Sequence, residues 1–122
     1  MNKISIKETN RIARRTFRTF TRLAGKDRLS TWGACGFRAS ADNGTPAMRF
    51  EVEALHFQGT VEIAYDRSND LYDISLLKNG CVTETRKGVN IYLAPTLVNS
   101  MVEKPLDWDD EEYARRINQW RS

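Results

Sequence analysis

Between Met48 and Ala54 every second residue is apolar: Met48, Phe50, Val52 and Ala54 alternate with Arg49, Glu51 and Glu53. A β-strand turns successive side chains to opposite faces, so this pattern specifies a strand with one apolar and one polar face. Gly59 breaks the run, and Val61, Ile63 and Tyr65 then alternate with Thr60, Glu62 and Ala64. Residues 66–70 form a polar turn, and residues 71–78 form the next strand. Asn79-Gly80 supplies the left-handed pair that a two-residue hairpin requires, and residues 81–87 return from it. Gly88 interrupts, after which residues 89–93 either continue the sheet or leave it. Upstream, residues 29–38 read as a further strand, with Gly33 and Gly36 marking a bulge or bend. Asp42, Asn43, Gly44 and Pro46 make the loop that follows it. Short connections and one wet face predict an antiparallel meander of four to six strands.

Helical patterns flank this region. Ser5 followed by Glu8 is a capping-box signature, and a helix over residues 6–24 follows, stopped by Gly25. Its apolar positions are Ile6, Ala13, Phe17, Phe20 and Ala24, with Ile12 and Leu23 at the margin. Pro95 suits the first turn of a second helix, whose apolar side is Leu97, Val98, Met101 and Val102 and which Pro105 ends. Asp109 with Glu112 caps a third, over residues 110–121, with Tyr113, Ile117 and Trp120 on one face. The order predicts an α+β fold: an N-terminal helix, an antiparallel sheet and two C-terminal helices on one face of it. At 122 residues the whole chain, 1–122, reads as a single domain that needs no metal or disulfide to fold.

Charge is unevenly laid out. Residues 1–40 carry ten Lys/Arg against Glu8 and Asp27, or +8; residues 41–122 carry nine against fourteen acids, or −5, which restores the net +3. On the first helix Lys7, Arg11, Arg14, Arg15, Arg18 and Arg22 share an arc of about 100° at 100° per residue, opposite the apolar stripe. Neighbours three and four apart repel, so helix stability alone does not select this arrangement. Aligned guanidinium groups can track a phosphate backbone, and Thr9, Thr16, Thr19 and Thr21 add short donors beside them. Nucleic acid is therefore the first candidate partner, with these six cations as its contacts. The competing readings are a solvated face, pairing with the acidic half of the chain, or burial of the face in a homodimer. Membrane contact is not expected, because Phe17 and Phe20 are assigned to the core and no apolar run is long enough to span a bilayer. Nor does an apolar run stand behind the N-terminal charges, so no secretory signal is expected.

Other chemistry is sparse. His56 is the one histidine, and it reads as a partly buried structural residue. Cys35 and Cys81 are widely separated and read as partly buried, reduced thiols of a cytoplasmic protein. A cross-strand disulfide, or a spatial Cys–His pair serving an enzyme, stays open at this point. No phosphate loop, dinucleotide fingerprint or nucleophile elbow is present, so no cofactor, metal or catalytic residue is assigned. Trp32, Phe37, Tyr65, Tyr72 and Tyr92 are candidates for base stacking, though their alternation fits sheet core equally well. Asp107, Asp109, Asp110, Glu111 and Glu112 open a helix, where acids favour the dipole. Asp109, Asp110 and Glu111 are also the candidate surface for a protein partner or an inhibitor function, alongside an exposed sheet edge.

The segment from Leu71-Tyr72-Asp73-Ile74-Ser75 through GVNIYLAPTLVNSMVEK to DWDDEEYARRINQW resembles small accessory domains of bacterial conjugative elements and phages. The shared pattern is a strand, a tight Asn-Gly turn, a returning strand ending in an Ile/Val-Tyr pair, a short Leu-Val helix and an acidic segment with Glu-Tyr. It covers about the last fifty residues, and Ala94-Pro95-Thr96 stands where the pattern has a more acidic opening to the helix. The resemblance implies a mobile-element setting and a bacterial or phage source. It implies no activity and assigns no site residue, and the basic helix lies outside it.

Overall fold

The computed structural model describes residues 5–41 and 44–120. Asp42, Asn43 and Arg121, which the sequence places in a loop and at a helix end, lie outside the described residues. The elements run α1 (Ile6–Thr31), β1 (Cys35–Ser40), β2 (Ala47–Glu53), β3 (Gln58–Asp66), β4 (Leu71–Lys78), β5 (Cys81–Val89), α2 (Ala94–Val102) and α3 (Asp110–Trp120). The fold is α+β, and the five strands form one antiparallel meander in the order β1-β2-β3-β4-β5.

Register follows the alternation. Met48 pairs with Ile63 and Phe50 with Val61 across β2 and β3, while Ile63 pairs with Ile74 and Val61 with Leu76 across β3 and β4. These side chains share one face, and Phe20, Trp32, Val98 and Val102 complete the core against them. The opposite face is a hydrogen-bonded polar lattice. Arg49 Nε lies 2.7 Å from Glu62 Oε2, Thr60 Oγ1 donates to Glu51 Oε1 at 2.8 Å, and Ser75 and Thr85 hydroxyls meet at 3.0 Å. Asn79 and Gly80 both take positive φ, 54° and 81°, as the hairpin requires.

The first helix departs from expectation in two ways. Gly25 does leave helical geometry, at φ 83° and ψ 161°, but the chain re-enters a helix and runs to Thr31. The amide of Gly33 closes on Ser30 and that of Ala34 on Leu29, so the terminating glycine is Gly33, at φ 62°. Residues 29–31 are therefore helical, and the first strand begins only at Cys35. Trp32, fully buried at this junction, is the residue that the extra helical turn delivers to the core. The register of β1 against β2 shifts between Cys35 and Arg38, placing the expected bulge at Gly36.

The buried stripe of α1 also differs. It consists of Thr9, Ile12, Ala13, Thr16 and Phe20, whereas Ile6 is 82% and Phe17 38% exposed. The buried face is thus rotated by about 50° from the one that apolar residues alone define. Two threonines occupy it; Thr16 satisfies its hydroxyl by donating to the Ile12 carbonyl at 2.9 Å.

The C-terminal helices behave differently from each other. Val98, Met101 and Val102 of α2 are buried, and Trp32 Nε1 donates to Asn99 Oδ1 at 2.9 Å. No residue of α3 is fully buried. It is tied down by the Glu103 carboxylate, which accepts from the Tyr113 hydroxyl at 2.5 Å and from the Leu55 amide at 2.9 Å. Glu103 is itself only 1% exposed, so this carboxylate joins the β2–β3 connection to both helices.

Candidate nucleic-acid interface

Six cations lie on the outer side of α1, and Lys7, Arg11, Arg14, Arg15, Arg18 and Arg22 are all exposed. The rotated buried stripe sets them squarely opposite the core rather than to one side of it. From Lys7 to Arg22 the row is about 22 Å long at ~1.5 Å per residue.

Their immediate surroundings divide them. Arg11 is held by Glu8, with Nη2 at 2.6 Å from Oε1, and Arg67 from the β3–β4 turn reaches the same oxygen at 2.8 Å. The hydrogen bond from Arg11, helped by the nearby positive charges of Arg67 and Arg15, holds the Glu8 carboxyl below its ordinary value. Arg15 lies over the Tyr65 ring, 4.9 Å from its centroid. The Tyr65 hydroxyl donates to Asp70 at 2.7 Å, which raises its pKa. Among the described residues no ion pair involves Lys7, Arg14, Arg18 or Arg22, and all four are exposed.

The acidic segment does not neutralise this face. Asp109 caps α3, its Oδ1 accepting from the Glu112 amide at 2.7 Å. Asp110 pairs with Lys104, and Glu112 pairs with Arg115 and Arg116. All three candidate partner residues, Asp109, Asp110 and Glu111, are exposed; Asp109 and Asp110 also serve local contacts.

Several expected contributors fall elsewhere. Thr9 and Thr16 are buried, at 6% and 1%, and Thr21 donates to the Phe17 carbonyl at 2.6 Å, so these three hydroxyls are not presented to a ligand. Trp32 and Tyr72 are buried in the core, whereas Tyr92 is 70% exposed. His56 is exposed rather than partly buried and meets Trp108 edge-on at 5.7 Å. Both cysteines are exposed as well. They stand on β1 and β5, the two edges of the sheet, about 19 Å apart at ~4.8 Å per strand, which excludes a disulfide within the chain. Among the described residues no group of three or more His, Cys, Asp or Glu is placed to hold a metal ion. Nor is any helix among them long and apolar enough to cross a membrane.

Sequence reasoning missed Arg67 and Arg38 as neighbours of the basic face. Arg67 sits in a polar turn with no periodicity to flag it, and only the β3–β4 register carries it to Glu8. Arg38 stands on β1 beside a cleft that also holds Arg14. No known family model, no curated protein and no solved structure matches this chain.

Proposed function

We propose that this chain is a small non-enzymatic accessory protein that binds nucleic-acid phosphates through the outer face of α1. Lys7, Arg14, Arg18 and Arg22 are the principal contacts, with Arg11 and Arg15 alongside. The observation that carries this reading is the absence, among the described residues, of any acid paired with those four cations. In the C-terminal acidic segment Asp110 pairs with Lys104 and Glu112 with Arg115 and Arg116 instead. Phosphate contacts position a protein without reading sequence, so little base specificity is expected. The resemblance of the last fifty residues adds a mobile-element setting, in the cytoplasm of a bacterial host.

Charge placement tests the reading better than charge alone. The double variant Arg18→Glu, Arg22→Glu and the double variant Arg86→Glu, Lys87→Glu change net charge equally. The first should abolish retention of a labelled duplex at low salt, and the second should weaken it only slightly. Equal losses would show that binding follows overall charge and not the face of α1.

A second reading has one observation in its favour: α3 has no fully buried residue, and Trp120 is 49% exposed. In this reading a protein partner docks on α3, and the charge reversals Asp110→Lys and Glu111→Lys abolish its capture while nucleic-acid binding is unchanged.

A further inference from the structure

On its β1 side the basic face of α1 does not end in open solvent. Asn10, Arg14 and Phe17 overhang the edge strand. Between them and Phe37 and Arg38 lies an open cleft of about 280 Å³, backed by the buried Met48. Its walls combine two chemistries. Phe17 is 38% exposed and meets Phe37 edge-on, with centroids 5.0 Å apart and planes at 75°. Phe37 in turn stacks on the fully buried Phe50 at 4.8 Å and 21°, which fixes the aromatic wall to the core. Two guanidinium groups stand beside this wall. Arg14 has no ion pair among the described residues. Arg38 donates to the Gly36 carbonyl at 3.0 Å and pairs with Glu51, yet keeps 46% of its side chain exposed.

A nucleotide presents the complementary set: a flat π-face and anionic phosphates on both sides of it. Bases stack on aromatic side chains, and arginine binds phosphate through its planar fork. The Asn10 side-chain amide, at the same cleft, carries both a donor and an acceptor of the kind that reads a base edge. An open cleft of about 280 Å³ has room for a base. A base inside a duplex is stacked on both sides and cannot enter, whereas a base in a single strand can be splayed out.

We propose that this cleft takes one unstacked base of a single-stranded nucleic acid, with the flanking phosphates on Arg14 and Arg38. The proposal rests on the phosphate-binding reading of α1 and adds to it a preference for single strands.

The test uses a labelled 12-nucleotide single strand and a 12-base-pair duplex, titrated at one moderate salt concentration with the full chain and its Phe17→Leu and Phe17→Trp variants. Leucine keeps apolar bulk against Phe37 but removes the π-face; tryptophan restores one. The expected result is a loss of about tenfold in single-strand affinity for Phe17→Leu. Phe17→Trp should recover it, duplex affinity should move less than about twofold, and the melting temperatures should stay close. Loss of single-strand and duplex binding in equal proportion, or no loss on the single strand, overturns the cleft assignment and leaves the arginine face intact. An unmodified protein that binds neither probe overturns the arginine face and the cleft together. Preserved single-strand binding in Phe17→Leu with loss in an Arg14→Ala variant assigns the cleft to phosphate alone, which also contradicts the proposal.

Discussion

Trp32 and Asn99 are bonded through the indole N–H and the amide oxygen, at 2.9 Å, across the junction of α1 and α2. The indole is fully buried, so its N–H loses its one hydrogen-bond partner among the described residues when the acceptor is removed. Asn99→Ala should therefore cost about 2 kcal/mol, the usual penalty for stranding a buried donor, and lower the melting temperature by several degrees. Asn99→Asp keeps an acceptor at the same position and should recover most of the loss. Thermal denaturation of the two variants decides it.

The two buried threonines of α1 should respond oppositely to the same substitution. Thr16 Oγ1 donates to the Ile12 carbonyl, while Thr9 Oγ1 is buried with no hydrogen-bond partner among the described residues. Thr9→Val replaces an unsatisfied hydroxyl with a methyl group of similar shape and should stabilise by about 1 kcal/mol. Thr16→Val removes a satisfied bond and should be neutral or destabilising by a similar amount. Urea denaturation midpoints report the ordering.

Gly25 and Gly59 both hold a positive φ, and they differ in steric crowding. A Cβ at Gly59 would stand 2.6 Å from the Leu77 carbonyl oxygen and 2.7 Å from the Phe57 ring. At Gly25 a Cβ would meet nothing within 4 Å, and only the φ of +83° opposes it. Gly59→Ala should cost about 4 kcal/mol, because backbone must move and φ is positive as well, and Gly25→Ala about 2 kcal/mol, for a φ and ψ that essentially only glycine adopts. A Gly25→Ala variant that melts below Gly59→Ala would contradict the packing described for β3 against β4.

Glu8 stands among the cations of α1, and it links stability to binding. The hydrogen bond from Arg11 holds its carboxyl below the ordinary 4.5, so the stabilisation it brings is present above that value and is lost as pH falls through the lowered one. The difference in melting temperature between the wild type and Glu8→Gln should accordingly shrink from about pH 6 to about pH 3. At neutral pH the same variant releases Arg11 and Arg67 and should bind nucleic acid about threefold more tightly. By the same logic Arg18→Ala should weaken binding more than Arg11→Ala, whose guanidinium is already engaged.

What the sequence made legible follows from where the physics is local. Alternation in residues 48–54 and 60–65, the Asn79-Gly80 turn, the Asp109 cap and Pro95 each depend on near neighbours, and each stands in the structure where the pattern puts it. The errors arose where a distant element decided the outcome. The extra turn before Trp32 exists because the core claims that indole, which no property of residues 26–31 announces. The true buried stripe of α1 includes Thr9 and Thr16, which a count of apolar residues passes over. Phe17, a member of the apparent stripe, is left at the edge of a cleft that only the placement of β1 creates. The cationic face itself was legible from helical spacing, but the pairing of Asp110 with Lys104 and of Glu112 with Arg115 and Arg116 was not.

The most direct test of the central claim is the salt dependence of binding, measured by fluorescence anisotropy with labelled duplex and single-stranded probes. Four to five phosphate contacts from α1 should give a plot of log affinity against log salt with a slope between about −3 and −5, reduced by about one unit in Arg18→Ala. Absence of binding at low salt, or a slope near zero, would contradict phosphate recognition by α1.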